Sequence, residues 1–371
     1  VSALCATEAQ TILSELHTIR DKVENVEVYM CLPLQDYKFF FDKSMVGHFQ
    51  LNSWFHTAAA RKAVKEDFGT VTFQPNHLHS AIGDLLSWRK VTVYLGACTP
   101  PDHTGHVSIS CSLPYEKESL EAADIVILEV NENLPRVHGD THVRIDDVNY
   151  FYESNHAVPT LPTPAPNEND FKIGGYCADL IQDGSTLQLG IGGIPSACAM
   201  ALKDHKVKDI GTHTEMFTDT MVDLYEAGII TNKRKTLWKD KFVATFVLGS
   251  QRLYDFVHDN MAVELHRGPK IIDPSLMRQN YNMVSINTTI MIDLTGQAAS
   301  ESLGWVQYSG TGGQFDTGNS ARECSSGTGG RSILTLYSAN KGRSSIVPRL
   351  PEGSAVTFHR SSIDTVISEY G

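Results

Sequence analysis

Glu215 lies in the run Gly211-Thr212-His213-Thr214-Glu215-Met216-Phe217, with glycine-rich turns both before and after it in the chain. Ile210-Gly211-Thr212 reads as the end of a short strand. Thr218 or Asp219 can cap a helix that runs through Met221, Val222, Leu224 and Tyr225 and stops at Gly228. Glu215 then falls in a strand-to-helix connection, the edge of an open α/β sheet where ligands bind. A carboxylate there can act as a nucleophile that splits a hard exchange into two easier steps. A solvated loop carboxylate fits the same local pattern.

The earlier turn is Leu187-Gln188-Leu189-Gly190-Ile191-Gly192-Gly193-Ile194-Pro195-Ser196. It reads strand, turn, helix, with Pro195 as the first helical residue. A helix start offers free N–H groups to an anion. The dinucleotide pattern GxGxxG fails because Pro195 stands where its third glycine belongs, and no Gly-Lys-Ser/Thr completes a Walker loop. A phosphate cradle and an ordinary tight turn both remain open. The later turn, Gln307-Tyr308-Ser309-Gly310-Thr311-Gly312-Gly313-Gln314-Phe315-Asp316, can form a backbone nest whose N–H groups stabilise an oxyanion, or can be a plain turn.

Other chemistries find less support. His103, His106, His138 and His142 have no partner Cys pair, and HExxH is absent, so no metal is expected. The nucleophile elbow GxSxG does not occur, and Cys198 sits in an apolar helical pattern that suits the core. The formal net charge of −12 argues against a nucleic-acid partner. The seven scattered cysteines, without a CxxC pair, read as reduced thiols of the cytoplasm, or of the mitochondrial matrix in a eukaryote. No apolar run is long enough for a membrane span.

The elements that must position these residues alternate between strand and helix. Strands are expected at Val26–Met30, Val91–Leu95, Ile125–Val130, Leu187–Leu189, Phe242–Val247, Met283–Ile286, Ile333–Leu336, Ala355–Phe358 and Asp364–Ser368, with helices at Ala58–Phe68 and Glu116–Ala122. Near-continuous apolar strands separated by helices indicate an α/β fold with mainly parallel sheets. Four prolines within Val158–Asn167 divide residues 1–157 from residues 171–371, with 158–170 as a linker.

Taken as a set, the motifs resemble the class I coenzyme A transferases, in the acetyl-CoA hydrolase/transferase group that includes 4-hydroxybutyrate CoA-transferase. The matching runs are Pro100–Gly105, Val130–Arg136, Leu187–Pro195, His213–Met216, Gly249–Phe256, Gln307–Gln314 and Ile367–Gly371. They keep their order across nearly the whole chain. The resemblance implies two open α/β/α domains with the active site between them, and Glu215 as the catalytic nucleophile. It implies that Gly190, Ile191, Gly192, Gly193 and Ile194 cradle CoA and that the Gly312 amide meets the thioester. It also matches Lys341 to a CoA-contacting lysine. Gln188 and Gly313 are candidate oxyanion supports.

The implied reaction moves CoA between an acyl-CoA and a small carboxylic acid of the acetate, butyrate or 4-hydroxybutyrate type. It runs through a glutamyl-CoA thioester, with no cofactor beyond coenzyme A and with a homodimeric assembly. An acyl-CoA hydrolase using the same glutamate and a truncated, non-catalytic CoA-binding protein are the alternatives. Family members begin with an earlier strand and a glycine- or histidine-bearing turn, and they continue past Glu369-Tyr370-Gly371 into a helical segment. Both pieces are expected outside this chain.

Overall fold

Short β-branched and apolar runs pair mainly in parallel, as shown by a computed structural model that describes residues 1–371. In the N-terminal half, Val26–Cys31 pairs with Phe49–Phe55, which pairs with Val71–Phe73. Val93–Cys98 pairs with Ile125–Asn131, which pairs with Tyr150–Ser154. The first residues of the chain join the two sets. Ser2 N donates to Tyr29 O at 3.0 Å, and Ala3 N donates to Leu95 O at 2.8 Å. Val1–Ala3 therefore runs between Val26–Cys31 and Val93–Cys98, and it places Leu4 beside the site described below.

The C-terminal half is built on five parallel strands in the order Gly211–Thr212, Thr186–Leu189, Met283–Thr288, Arg331–Thr335, Thr365–Ile367. The helices Glu168–Asp179 and Gly193–His205 pack on each other, and Gln314–Arg322 packs on the two strands that follow Thr186–Leu189 in that order. A smaller parallel sheet draws strands from both halves: Phe242–Ala244, Val263–Leu265 and His138–Gly139. A single apolar cluster of 45 buried residues runs from Ala3 to Ile367, so the halves share a continuous core. Residues 155–167 contain no helix or strand. They are strapped to the C-terminal half through Tyr254 Oη to Pro159 O (2.6 Å) and Leu161 N to Gly249 O (2.9 Å).

Four expectations shift. Ala355–Phe358 is not a strand; beside Pro348, Pro351 and Gly353 it keeps only one bridge, Ala298 to Phe358. Phe242–Val247 splits into two short strands at Thr245, whose N and Oγ1 both turn to Glu215 O, at 2.9 and 2.7 Å. Phe49–Phe55, absent from the expected strands, is a central one. The second-half helix begins at Gly193, so Pro195 is its third residue. The fold tolerates this because the first four helical N–H groups have no partner within the helix.

Candidate active site

Glu215 is held through its backbone and nearly free at its carboxylate. Its carbonyl accepts from Thr245 N, Thr245 Oγ1 and Phe246 N, the last at 3.2 Å. The segment before it is fixed by two buried bases. His213 Nε2 donates to Ile271 O at 2.7 Å and its Nδ1 accepts from Asn280 Nδ2 at 3.0 Å, which sets the tautomer. Burial pulls His213 down to about 3, so it is neutral at physiological pH. Lys235 Nζ donates to Thr212 O at 2.7 Å and to Lys241 O at 2.6 Å, and burial lowers its pKa to about 7. These contacts make the Glu215 connection rigid.

The Glu215 carboxylate has one protein donor, Gly313 N to Oε2 at 3.1 Å. Burial first and the nearby Asp316 carboxylate second push its pKa up to about 7, against the opposing pull of that N–H. A carboxylate with a pKa close to ambient pH is still ionised in useful amount, and it is more basic than an ordinary one. Gly313 has to be glycine for this geometry, since a β-carbon there would collide with the Glu215 carboxylate. Gly312 takes φ +57, the left-handed conformation that turns the nest. Gly313, expected as an oxyanion support, supplies the N–H that reaches Glu215, and Gly312, expected at the thioester, lines the same cavity.

Glu215 opens into a cavity of about 330 Å³, lined also by Gln188, Gly190, Ile191, Gly312, Gly313, Leu4, Phe55 and Met216. Gln188 Oε1 accepts from Ser285 Oγ at 2.6 Å, which leaves its amide NH₂ available to the cavity. Ile191 and Thr288 also line a second cavity of about 310 Å³, so the two adjoin. Gly192, Gly193, Ile194, Pro195, Asp170, Tyr337 and Asn340 line this second space. Gly192 has φ +118 and opens the helix start toward it. Gly192 therefore stands apart from Glu215, whereas Gly312, Gly313 and Gln188 share its cavity. Lys341 lines neither cavity. It is exposed at the turn of the hairpin Ala339–Asn340/Arg343–Ser344, next to the lining residue Asn340.

One feature departs from a phosphate cradle. Asp170 is buried, accepts from Tyr337 Oη at 2.7 Å, and lies so close to Gly193 that a β-carbon there would strike its carboxylate. A carboxylate already faces this helix start, so the turn fits a neutral, amide-bearing stretch of ligand better than a phosphate.

Asp316 and His79 were not singled out by sequence reasoning. Asp316 is fully buried and accepts from His79 N at 3.1 Å and His79 Nδ1 at 2.9 Å. This pair ties the N-terminal half to the helix that follows the Gly312-Gly313 turn, and its charge bears on Glu215. The only signal in the sequence was the position of Asp316 just after the second glycine turn. Trp54 and Arg61 do not line the Glu215 cavity. Trp54 packs on Tyr115, and Arg61 donates to Tyr308 O at 2.9 Å, while Phe55 does line the Glu215 cavity. The four histidines weighed for zinc form no cluster of three or more metal-ligating side chains. No helix is long and apolar enough to cross a membrane.

Fold and site define a parallel α/β protein that places a single activated carboxylate between its two halves, beside an elongated cleft. Comparisons with known proteins agree with that class. The family model of the acetyl-CoA hydrolase/transferase N-terminal domain matches residues 2–162, and that of the C-terminal domain matches residues 249–371. The chain is 40% identical over 333 residues to the 4-hydroxybutyrate coenzyme A transferase of Clostridium kluyveri, covering 89% of this chain and 76% of that protein. It is 37% identical over 364 residues to the succinyl-CoA:cyclohexane-1-carboxylate CoA transferase of Geobacter metallireducens, covering 98% and 80%. The crystal structure of RipA from Yersinia pestis superposes with a TM-score of 0.92 at 30% identity, over 100% of this chain and 85% of that one. The chain belongs to the acetyl-CoA hydrolase/transferase family; the two relatives just named are CoA transferases, and an acetyl-CoA hydrolase of Neurospora crassa also matches, at 23% identity over 254 residues.

Proposed function

We propose that the protein transfers coenzyme A between an acyl-CoA and a small carboxylic acid, with Glu215 as the nucleophile. The observation that carries the reading is the Glu215 carboxylate itself. It has one backbone donor and a raised pKa, and it faces a cavity that continues into the glycine-turn cleft. In the first step Glu215 attacks the acyl-CoA carbonyl, the C–S bond breaks, and an acyl-glutamyl anhydride and CoA thiolate form. The thiolate then attacks the Glu215 carbonyl, giving glutamyl-CoA and releasing the first acid as carboxylate. A second carboxylate attacks glutamyl-CoA and the same steps run in reverse. No proton need be exchanged, and the chemistry requires no metal or redox cofactor beyond CoA.

Each attack passes through a tetrahedral oxyanion. Gly313 N–H, the Gly312 turn and the Gln188 amide supply donors in the same cavity. The pantetheine arm passes along Ile191 into the cleft of Gly190 to Ile194, and Lys341 meets the phosphates at its mouth. Binding of that remote arm supplies energy that is spent at the reacting carbonyl.

Incubating the protein with acyl-CoA alone, followed by borohydride reduction and peptide mass spectrometry, tests the covalent route. Modification is expected at Glu215 and nowhere else. An unmodified Glu215 in a preparation that still exchanges CoA would sink the mechanism. Product release that is independent of added acid would show that water, and not a carboxylate, captures the intermediate.

A further inference from the structure

Residues 77–79 of the N-terminal half grip the helix Gln314–Arg322, which follows the second glycine turn. His77 stacks on Phe315, with ring centroids 4.7 Å apart. Leu78 is buried and lines the Glu215 cavity. His79 donates to Asp316 twice, from its backbone N to Oδ2 at 3.1 Å and from Nδ1 to Oδ1 at 2.9 Å. Both oxygens of a fully buried carboxylate are thus committed to one residue of the opposite half. An acid in the first turn favours a helix on the surface as well, and burying its charge costs stability. Helix formation alone therefore gives no reason for a buried Asp316.

Gly313 is the residue just before that helix, and its N–H is the one protein donor to the Glu215 carboxylate, at 3.1 Å. The far end of the turn is also held from the N-terminal half. His56 N donates to Ser309 O at 3.3 Å, and a β-carbon on Gly310 would collide with Trp54 O. The turn is pinned at both ends, and the Asp316 anchor lies three residues from the N–H that meets Glu215.

Resting on the transfer reading above, we infer that Asp316 and His79 are positioning residues for the Glu215 nucleophile. They hold the Gly313 N–H on its carboxylate and keep a fixed negative charge near it. After burial, that charge is what raises Glu215 most. The other titratable groups around these residues are Cys31, Glu301, His77, Asp84 and Asp273. Burial first and the Glu215 charge second push the Cys31 thiol up, so it stays protonated. Glu301 accepts from the cavity residue Thr311 at 2.7 Å, and His77 Nδ1 stands 3.9 Å from Asp316 Oδ1. The Asp316 hydrogen bond raises His79 above the usual histidine value against the pull of burial, with Asp273 and Asp84 adding to the rise.

The test is the pH profile of exchange between butyryl-CoA and acetate in variants of the purified protein. Asp316→Asn keeps the shape and removes the charge. Its kcat is expected to fall about tenfold or more, with KM for butyryl-CoA changed less than about threefold. The acid limb of its kcat/KM profile is expected to move to lower pH by about half a unit or more. His79→Ala removes the side-chain donor and leaves the carboxylate. It is expected to lower kcat about threefold to tenfold without moving that limb to lower pH, and His79→Asn, which restores a donor, to recover most of the loss.

An unmoved acid limb in folded Asp316→Asn, or a loss confined to KM, would overturn the inference and leave Asp316 a purely structural residue. If Asp316→Asn does not fold, the His79 variants decide. Folded His79→Asn that recovers none of the kcat lost in His79→Ala would overturn the inference as well. Absence of exchange in the wild-type protein would instead overturn the transfer reading on which it rests.

Discussion

Two glutamates in this molecule have the same raised pKa and opposite surroundings. Burial pushes both Glu116 and Glu215 up to about 7. Glu116 is fully buried and its oxygens accept from Leu4 N at 3.0 Å, Ser112 Oγ at 2.7 Å and Tyr115 N at 2.9 Å. Those contacts pin the start of the chain to the helix Glu116–Ala122. Glu215 has one donor and opens onto a cavity. A perturbed pKa alone therefore does not mark a nucleophile. The number of lone pairs already committed, and the space in front of them, separate a structural carboxylate from a reactive one.

The largest effect that can break this comparison is alanine at each position. Glu215→Ala is expected to lower exchange by on the order of 10⁴-fold or more without lowering the melting temperature near neutral pH, because only one donor is stranded and it faces the cavity. Glu116→Ala strands three donors in the core and is expected to cost about 3 kcal/mol or more of stability, while turnover per folded molecule falls less than tenfold. Thermal melts alongside acyl-exchange rates measure both. Equal stability losses at the two sites would dissolve the distinction.

Gly313→Ala comes next. A β-carbon there collides with the Glu215 carboxylate and displaces its only donor. A loss of roughly 10²–10³ in kcat, with KM for acyl-CoA little changed, is expected from steady-state kinetics. A rise in KM alone would place Gly313 in binding and not in oxyanion support.

Much of this was legible in the sequence, and the limits have physical causes. The parallel strands of the second sheet are apolar runs whose burial on both faces leaves a clear signal, so Thr186–Leu189 and Met283–Thr288 fell close to expectation. Phe49–Phe55 carries Gln50, Asn52 and Ser53 within it and was invisible as a strand, although Phe55 lines the site. The order of motifs singled out Glu215 and both glycine turns. The Asp316–His79 pair joins positions 237 residues apart, a proximity that no local pattern encodes.

The pH response separates Glu215 further from a passive carboxylate. Attack needs the ionised form, so kcat/KM is expected to fall tenfold per unit as pH drops below about 7 and to level off above it. Stability runs the other way. The folded protein holds this proton more tightly than the unfolded chain does, so the contribution of Glu215 is complete below the usual carboxylate range and is lost as pH rises through about 7. Glu215→Ala should therefore gain about 2 kcal/mol on wild type between pH 5 and pH 8 in paired denaturant titrations. A constant difference across that range would mean that Glu215 titrates as an ordinary solvated carboxylate.

The smallest effect tests the far end of the cleft. Lys341 stands exposed on a hairpin turn outside both cavities, beside Asn340, which lines the glycine-turn cleft. An exposed ion pair is worth about 0.2–1 kcal/mol and is screened by salt. Lys341→Ala is therefore expected to raise KM for acyl-CoA only about two- to fivefold, with kcat intact, and the difference should fade as ionic strength rises. This outcome would divide the cleft by role: charge at the mouth sets capture, and the nearly unpaired carboxylate at the floor sets turnover. A fall in kcat at constant KM would instead couple the hairpin to the chemistry at Glu215.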